Sequence, residues 1–183
     1  DDINHYTITI PYLINLQKVE LNSNEDFIFM PLISKYCLKL EYIQINTDST
    51  AIPIQLLQLL QTCLYIKSII LLNDIYHTDD VIINIAEHCS NLQILTIHSD
   101  YYNNKTVSNI SLLALSKHCL FLKEIDLNTC KYITETGILQ LIQQCKSLHI
   151  LKLNPYAIFK YTDFGFPVDV DIYNNYTIYT LLR

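Results

Sequence analysis

The chain has 183 residues, 50% of them hydrophobic, and a formal net charge of −6. That length and apolar content allow one sizeable core. The acidic balance weighs against nucleic acid and anionic membrane, both of which reward clustered Lys and Arg, and no apolar run reaches the roughly 18 residues of a membrane span. The first residues form no basic, apolar leader, and the chain starts at Asp1 rather than Met, so a fragment or a processed product is expected. Two glycines, no tryptophan and abundant Ile, Asn, Tyr and Leu read as codon bias and carry no functional weight.

In chain order, LINLQKVELN from Leu13 is the first short apolar alternation suited to a strand with one buried face. Met30-x-x-Ile33-Ser34-x-x-Cys37 follows, a loose helical pattern, and leads into a second alternation, CLKLEYIQIN from Cys37. The pair then recurs. Leu56-x-x-Leu59-Leu60-x-x-Cys63 precedes CLYIKSIILLN, which carries one residue more before its Asn. Ile82-x-x-Ile85-Ala86-x-x-Cys89 precedes CSNLQILTIH, and Leu112-x-x-Leu115-Ser116-x-x-Cys119 precedes CLFLKEIDLN. Ile138-x-x-Leu141-Ile142-x-x-Cys145 precedes CKSLHILKLN. The i, i+3, i+4, i+7 spacing puts each set on one helix face, and Thr78, Ser108 and Thr134 stand where N-caps would start three of these helices.

Cysteines 37, 63, 89, 119 and 145 are separated by 26, 26, 30 and 26 residues. A disulfide framework has no reason to be periodic, and no Cys-x-x-Cys pair begins a zinc site. Cys37, Cys63, Cys89, Cys119, Cys130 and Cys145 are therefore expected to be reduced, structural thiols buried as small apolar groups, which implies an intracellular, cytoplasmic or nuclear protein. Sequons at Asn104, Asn109 and Asn175 point towards secretion, but such triplets arise by chance in a chain this rich in Asn.

A strand and a helix every 26 residues or so cannot bury its apolar stripe alone, whereas stacked neighbours bury it continuously. The expected fold is α/β: a leucine-rich repeat solenoid, or horseshoe, with parallel strands on the concave face and helices on the convex face. It should hold about six repeats and a truncated seventh in one domain, 1–183. Regular repeats run over 13–154, and about four extra residues fall in DYYNNKT, Asp100 to Thr106. A long insertion occupies about 155–171. Ile178-x-x-Leu181-Leu182 mirrors Ile138-x-x-Leu141-Ile142, so a partial repeat with a helix cut short is expected over 172–183. In the pattern L-x-x-L-x-L-x-x-N/C the last position falls on Asn24, Asp48, Asp74, Asp100, Cys130 and Tyr156. The Asn and Asp side chains there read as caps of loop amides, with a calcium ladder as the sharper alternative.

CKSLHILKLN together with LNTCKYITETGILQLIQQC resembles the cysteine-containing leucine-rich repeat of F-box proteins. Cys130, Ile133, Thr134, Gly137 and Ile138 occupy that family's positions, with Glu135 in place of its Asp, and one repeat alone keeps the second Cys. The resemblance is close over 119–154, good over 63–98 and thinner over 1–62. It implies the substrate-recognition region of an SCF-type ubiquitin ligase adaptor, binding a substrate protein. The ligase scaffold would join only if an F-box lies outside this sequence. A repeat protein without an F-box, acting as scaffold or inhibitor in signalling, is the alternative, and a small-molecule sensor a more distant one.

No P-loop, Gly-rich dinucleotide turn or Ser/His/acid set stands in context, so no catalytic residue, metal or cofactor is expected. His88-Cys89 and His118-Cys119 recur where Tyr36, Thr62 and Gln144 also stand, which marks a tolerated helix end; Asp79-Asp80 reads as compensation of a helix dipole. What remains is surface. Outward strand positions are Lys18, Glu20 and Asn22; Tyr42, Gln44 and Asn46; Ser68 and Ile70; Ile94, Thr96 and His98; Glu124, Asp126 and Asn128; and Ile150, Lys152 and Asn154. Ile70, Ile94 and Ile150 are apolar where the fold requires nothing apolar, as in a binding patch with a charged rim. The insertion adds Tyr156, Phe159, Tyr161, Phe164 and Phe166 as candidate anchors.

Overall fold

In a computed structural model the described residues are 13–46, 54–72, 78–98, 107–154, 167–172 and 177–182. Among them, eight strands form one mostly parallel sheet accompanied by five α-helices. Strand β1 (Lys18–Leu21) is followed by a 3-10 turn (Asn24–Phe29), α1 (Met30–Tyr36), β2 (Tyr42–Asn46), α2 (Ile54–Thr62) and β3 (Ser68–Leu72). Then come α3 (Asp79–His88), β4 (Ile94–His98), α4 (Asn109–His118), β5 (Glu124–Leu127), α5 (Glu135–Gln144) and β6 (Ile150–Leu153). Two further strands close the described chain, β7 (Val168–Ile172) and β8 (Thr177–Leu181). The sheet order is β1-β2-β3-β4-β5-β6-β8-β7, parallel through β6 and antiparallel after it.

Chain order equals sheet order through β6 because each unit repeats one hydrogen-bonding device. The residue before each strand lends its carbonyl to two successive amides of the next unit. Gln17 accepts from Glu41 and Tyr42, Glu41 from Lys67 and Ser68, and Lys67 from Gln93 and Ile94. Gln93 then accepts from Lys123 and Glu124, and Lys123 from His149 and Ile150. This fixes an unslipped register in which Val19, Ile43, Ile69, Leu95, Ile125 and Leu151 form one buried row. With a side-chain period of two, the residues between them all face the other way.

The buried row meets the apolar helix faces expected from the spacing, such as Ile82, Ile85 and Ala86 of α3 and Ile138, Leu141 and Ile142 of α5. Consecutive helices pack on one another. Each periodic cysteine ends its helix: the amides of Cys37, Cys63, Cys89, Cys119 and Cys145 donate to the carbonyl four residues back at 2.8–2.9 Å. The Cys63 thiol points at the Cys37 carbonyl at 3.5 Å, Cys119 at that of Cys89 at 3.7 Å, and Cys145 at that of Cys119 at 3.4 Å. A group here must be small, apolar enough to bury completely and able to make a weak S–H contact, and cysteine meets all three conditions.

The helix starts hold a second cross-unit device. Thr78, Ser108 and Thr134 do occupy the N-cap positions, but of their three side chains only that of Ser108 accepts a bond from its own helix, from the Ile110 amide at 3.2 Å. The Asp79 carboxylate, from the first turn of α3, accepts instead from the first turn of α4. Its donors are the Ser108 amide (2.8 Å) and hydroxyl (2.7 Å), the Ser111 amide (3.3 Å) and the Ser111 hydroxyl. Asn109 of α4 repeats the arrangement one unit on, accepting from the Thr134 amide at 3.0 Å and donating to its hydroxyl at 2.7 Å. A β-carbon on Gly137 would collide with Asn109 Oδ1 and crowd Leu112 Cδ1 at 3.1 Å, so a glycine stands where these helices approach.

Two expectations are corrected. The helix expected around Ile178, Leu181 and Leu182 is strand β8, and residues 168–172, placed partly in a long loop, are strand β7. Thr177 and Leu181 are buried and Tyr179 packs on the core, while Ile178 and Thr180 face outward, which is a strand alternation. The Leu181 amide bonds the His149 carbonyl at 2.9 Å, so β8 continues the hydrogen bonding of β6 with reversed polarity. The DYYNNKT turn, Asp48, Asp74 and Asp100 lie outside the described residues.

Candidate functional site

Every outward candidate that lies within a strand faces the same side of the sheet. Lys18, Tyr42, Ser68, Ile94, Glu124 and Ile150 are aligned across it, and Glu20, Gln44, Ile70, Thr96, Asp126 and Lys152 form the next row. His98 lies opposite Leu72 in a third row with Asn46. Asn128 stands in the turn after β5, and Asn154, just past β6, is buried. Tyr156, Phe159, Tyr161, Phe164 and Phe166, the candidate anchors of the insertion, lie outside the described residues.

The face has an apolar centre and charged flanks. Ile70, Leu72 and Ile94 are half-buried neighbours on β3 and β4. On the β1 side, Lys18 pairs with Glu20 at 2.7 Å and lies over the Tyr42 ring at 4.6 Å; the Tyr42 hydroxyl donates to Gln44 at 2.9 Å. On the β6 side, Lys152 pairs with Glu124 at 2.7 Å and approaches Asp126 at 3.9 Å. Burial pushes the Asp126 carboxyl above its ordinary value, against the opposing pull of the Asn128 amide (3.2 Å), Lys152 and His98. The Asn128 carboxamide oxygen is buried without a hydrogen-bond partner among the described residues.

Leu72 and Ile178 belong to this face and are absent from the outward list read from the sequence. The extra residue in CLYIKSIILLN hid Leu72, although the alternation Ser68-Ile70-Leu72 was there to be read. Ile178 was assigned to a helix; in β8 it pairs with Lys152, and Asp169 and Asp171 of β7 extend the same rows.

The six cysteines are free and buried. Burial raises the thiols of Cys89, Cys119 and Cys130 to about 12 and that of Cys37 to about 11. Such groups are neither nucleophiles nor ready ligands at neutral pH. His88 Nδ1 lies 2.9 Å from the Asn84 carbonyl at the end of its helix, and His118 is exposed. Among the described residues no group of three or more His, Cys, Asp or Glu is placed to hold a metal ion, and no helix is long and apolar enough to cross a membrane.

No protein-family model matches the chain. A stretch of 69 residues, 38% of this chain, is 33% identical to the F-box protein SKIP1 of Arabidopsis thaliana, and covers 22% of that relative's length. The chain thus spans about a fifth of the curated relative it matches. This is a partial likeness to an F-box protein.

Proposed function

We propose that the chain is a leucine-rich repeat solenoid serving as the substrate-recognition region of an F-box adaptor in an SCF-type ubiquitin ligase, without a catalytic step of its own. The observation that carries this reading is the outward strand face: six in-register strands with Ile70, Leu72 and Ile94 at the centre and paired charges at either side. A rigid, preformed face of this kind suits an apolar anchor of a protein partner, with the charges limiting which partners fit. The partial likeness to an F-box protein supports the ligase assignment, and the periodic buried thiols support an intracellular setting, cytoplasmic or nuclear.

The test is co-precipitation of the full-length protein from its own cells, with Ile70→Asp and Ile94→Asp variants beside the wild type. Capture of ligase scaffold by all three, with a ubiquitinated partner lost from both variants, is the expected result. A partner without scaffold would favour a repeat scaffold lacking an F-box, and a partner captured equally by the variants would remove the strand face as the recognition surface.

A further inference from the structure

The turns that follow each helix lie at the edge of the sheet, outside the strand face. The Cys145 thiol on the Cys119 carbonyl (3.4 Å) and the His149 amide on the Lys123 carbonyl (2.9 Å) place the turns of the last two units side by side. Leu120 and Phe121 stand there 49% and 60% exposed, next to one another in sequence. Around them are Lys117, Lys123 and Lys146, all exposed and, among the described residues, none in an ion pair with a carboxylate. Lys117 answers the helix dipole of α4, as basic groups at helix C-termini do. No dipole argument explains Leu120 and Phe121, and the core needs neither. Leu64 and Tyr65 hold the aligned position two units upstream, 58% and 60% exposed. Scattered exposed apolar residues are ordinary, but an adjacent pair repeated at one structural position, with three exposed lysines around its downstream copy, is a patch with a chemical preference.

We propose that this edge, centred on Phe121 and Leu120 and flanked by Lys117, Lys123 and Lys146, is a second docking surface, for an acidic protein segment carrying an apolar side chain. Charge complementarity selects the occupant: the chain as a whole is acidic, at −6, yet this edge presents three exposed lysines that form no ion pair among the described residues. The apolar pair supplies contact area that survives salt, and the lysines steer the segment and set its register. The surface is separate from the strand face, so it stands or falls independently of the recognition role proposed above.

The probe is an array of short synthetic peptides rich in Asp and Glu, with Leu or Phe present or absent, and matched peptides carrying Lys in place of the acids. Vesicles of phosphatidylserine and phosphatidylcholine form a separate arm. The whole chain should be retained by acidic peptides that contain Leu or Phe, and less so as salt rises past about 0.15 M. Phe121→Ser and Lys123→Glu should each weaken retention about tenfold or more. Because both positions are exposed, their urea midpoints should match the wild type, and Ile70→Asp should leave retention unchanged. Retention indifferent to Leu and Phe, unaffected by either edge variant, or seen on vesicles and not on peptides would overturn the proposal, as would no retention at all.

Discussion

Replacing Asp79 with alanine tests whether neighbouring units are held together at their helix starts as well as through their core. One carboxylate there receives four donors from the next unit, two amides and two hydroxyls. Losing an N-terminal cap costs about 1–2 kcal/mol. The Ser111 side chain is fully buried, and stranding its hydroxyl adds about 1–3 kcal/mol. The two overlap, so Asp79→Ala should destabilise the chain by about 3 kcal/mol, and Asp79→Asn, which keeps one acceptor oxygen, by roughly half. For a chain of this size the alanine variant should melt about 10 °C lower. The pH dependence has a definite sign. Burial of Asp79 works against its charge, but the bonds from Ser108 and Ser111 outweigh it and hold the carboxyl below its ordinary 3.8. A carboxyl lowered on folding contributes fully above its unfolded value and loses that contribution as pH falls through the folded one. The gap between wild type and Asp79→Asn in urea midpoint should therefore be flat from neutral pH down to about 5 and should close below about 4. A loss under about 0.5 kcal/mol, or a gap that widens on acidification, would refute the reasoning.

Two further outcomes follow from burial and pairing. With the thiols of Cys37, Cys89, Cys119 and Cys130 raised to about 11 or 12 and all six cysteines buried, alkylation of the native chain at neutral pH should run at least about 100-fold slower than in urea, where all six cysteines should react; fewer than six in urea without reductant would mean a disulfide. Leu181→Ala, which empties the 3%-exposed anchor of β8, should cost about 2–4 kcal/mol in urea denaturation; a change below about 1 kcal/mol would show that β8 is not packed on the core.

The repeating strand and helix were legible because their signals reinforce each other. The same cysteine closes each helix and opens the count to the next strand, so one residue type fixes two boundaries and the period. The outward rows followed from the alternation alone, except at Leu72, where one added residue shifted the reading frame. The C-terminal hairpin was not legible. Ile178, Leu181 and Leu182 satisfy helical spacing, while Thr177, Tyr179 and Leu181 satisfy a period of two, and only pairing with β6 decides between them. The Asp79 cluster was also hidden. Its carboxylate looked like compensation for its own helix dipole, because a bond spanning 29 or 32 residues leaves no local pattern.

The reversed polarity of β8 bears on how such a chain can grow. A duplicated strand–helix unit inserted anywhere between β1 and β6 would meet the same ladder, the same sulfur-to-carbonyl contact and compatible neighbours on both sides. A unit added next to β6 on its far side would have to displace β8, which already takes the backbone groups that a seventh parallel strand would use. Lengthening by tandem duplication is therefore easy in the interior and obstructed at this boundary. Descendants of one ancestor are expected to vary in the number of internal units while carrying the same antiparallel hairpin against their last one.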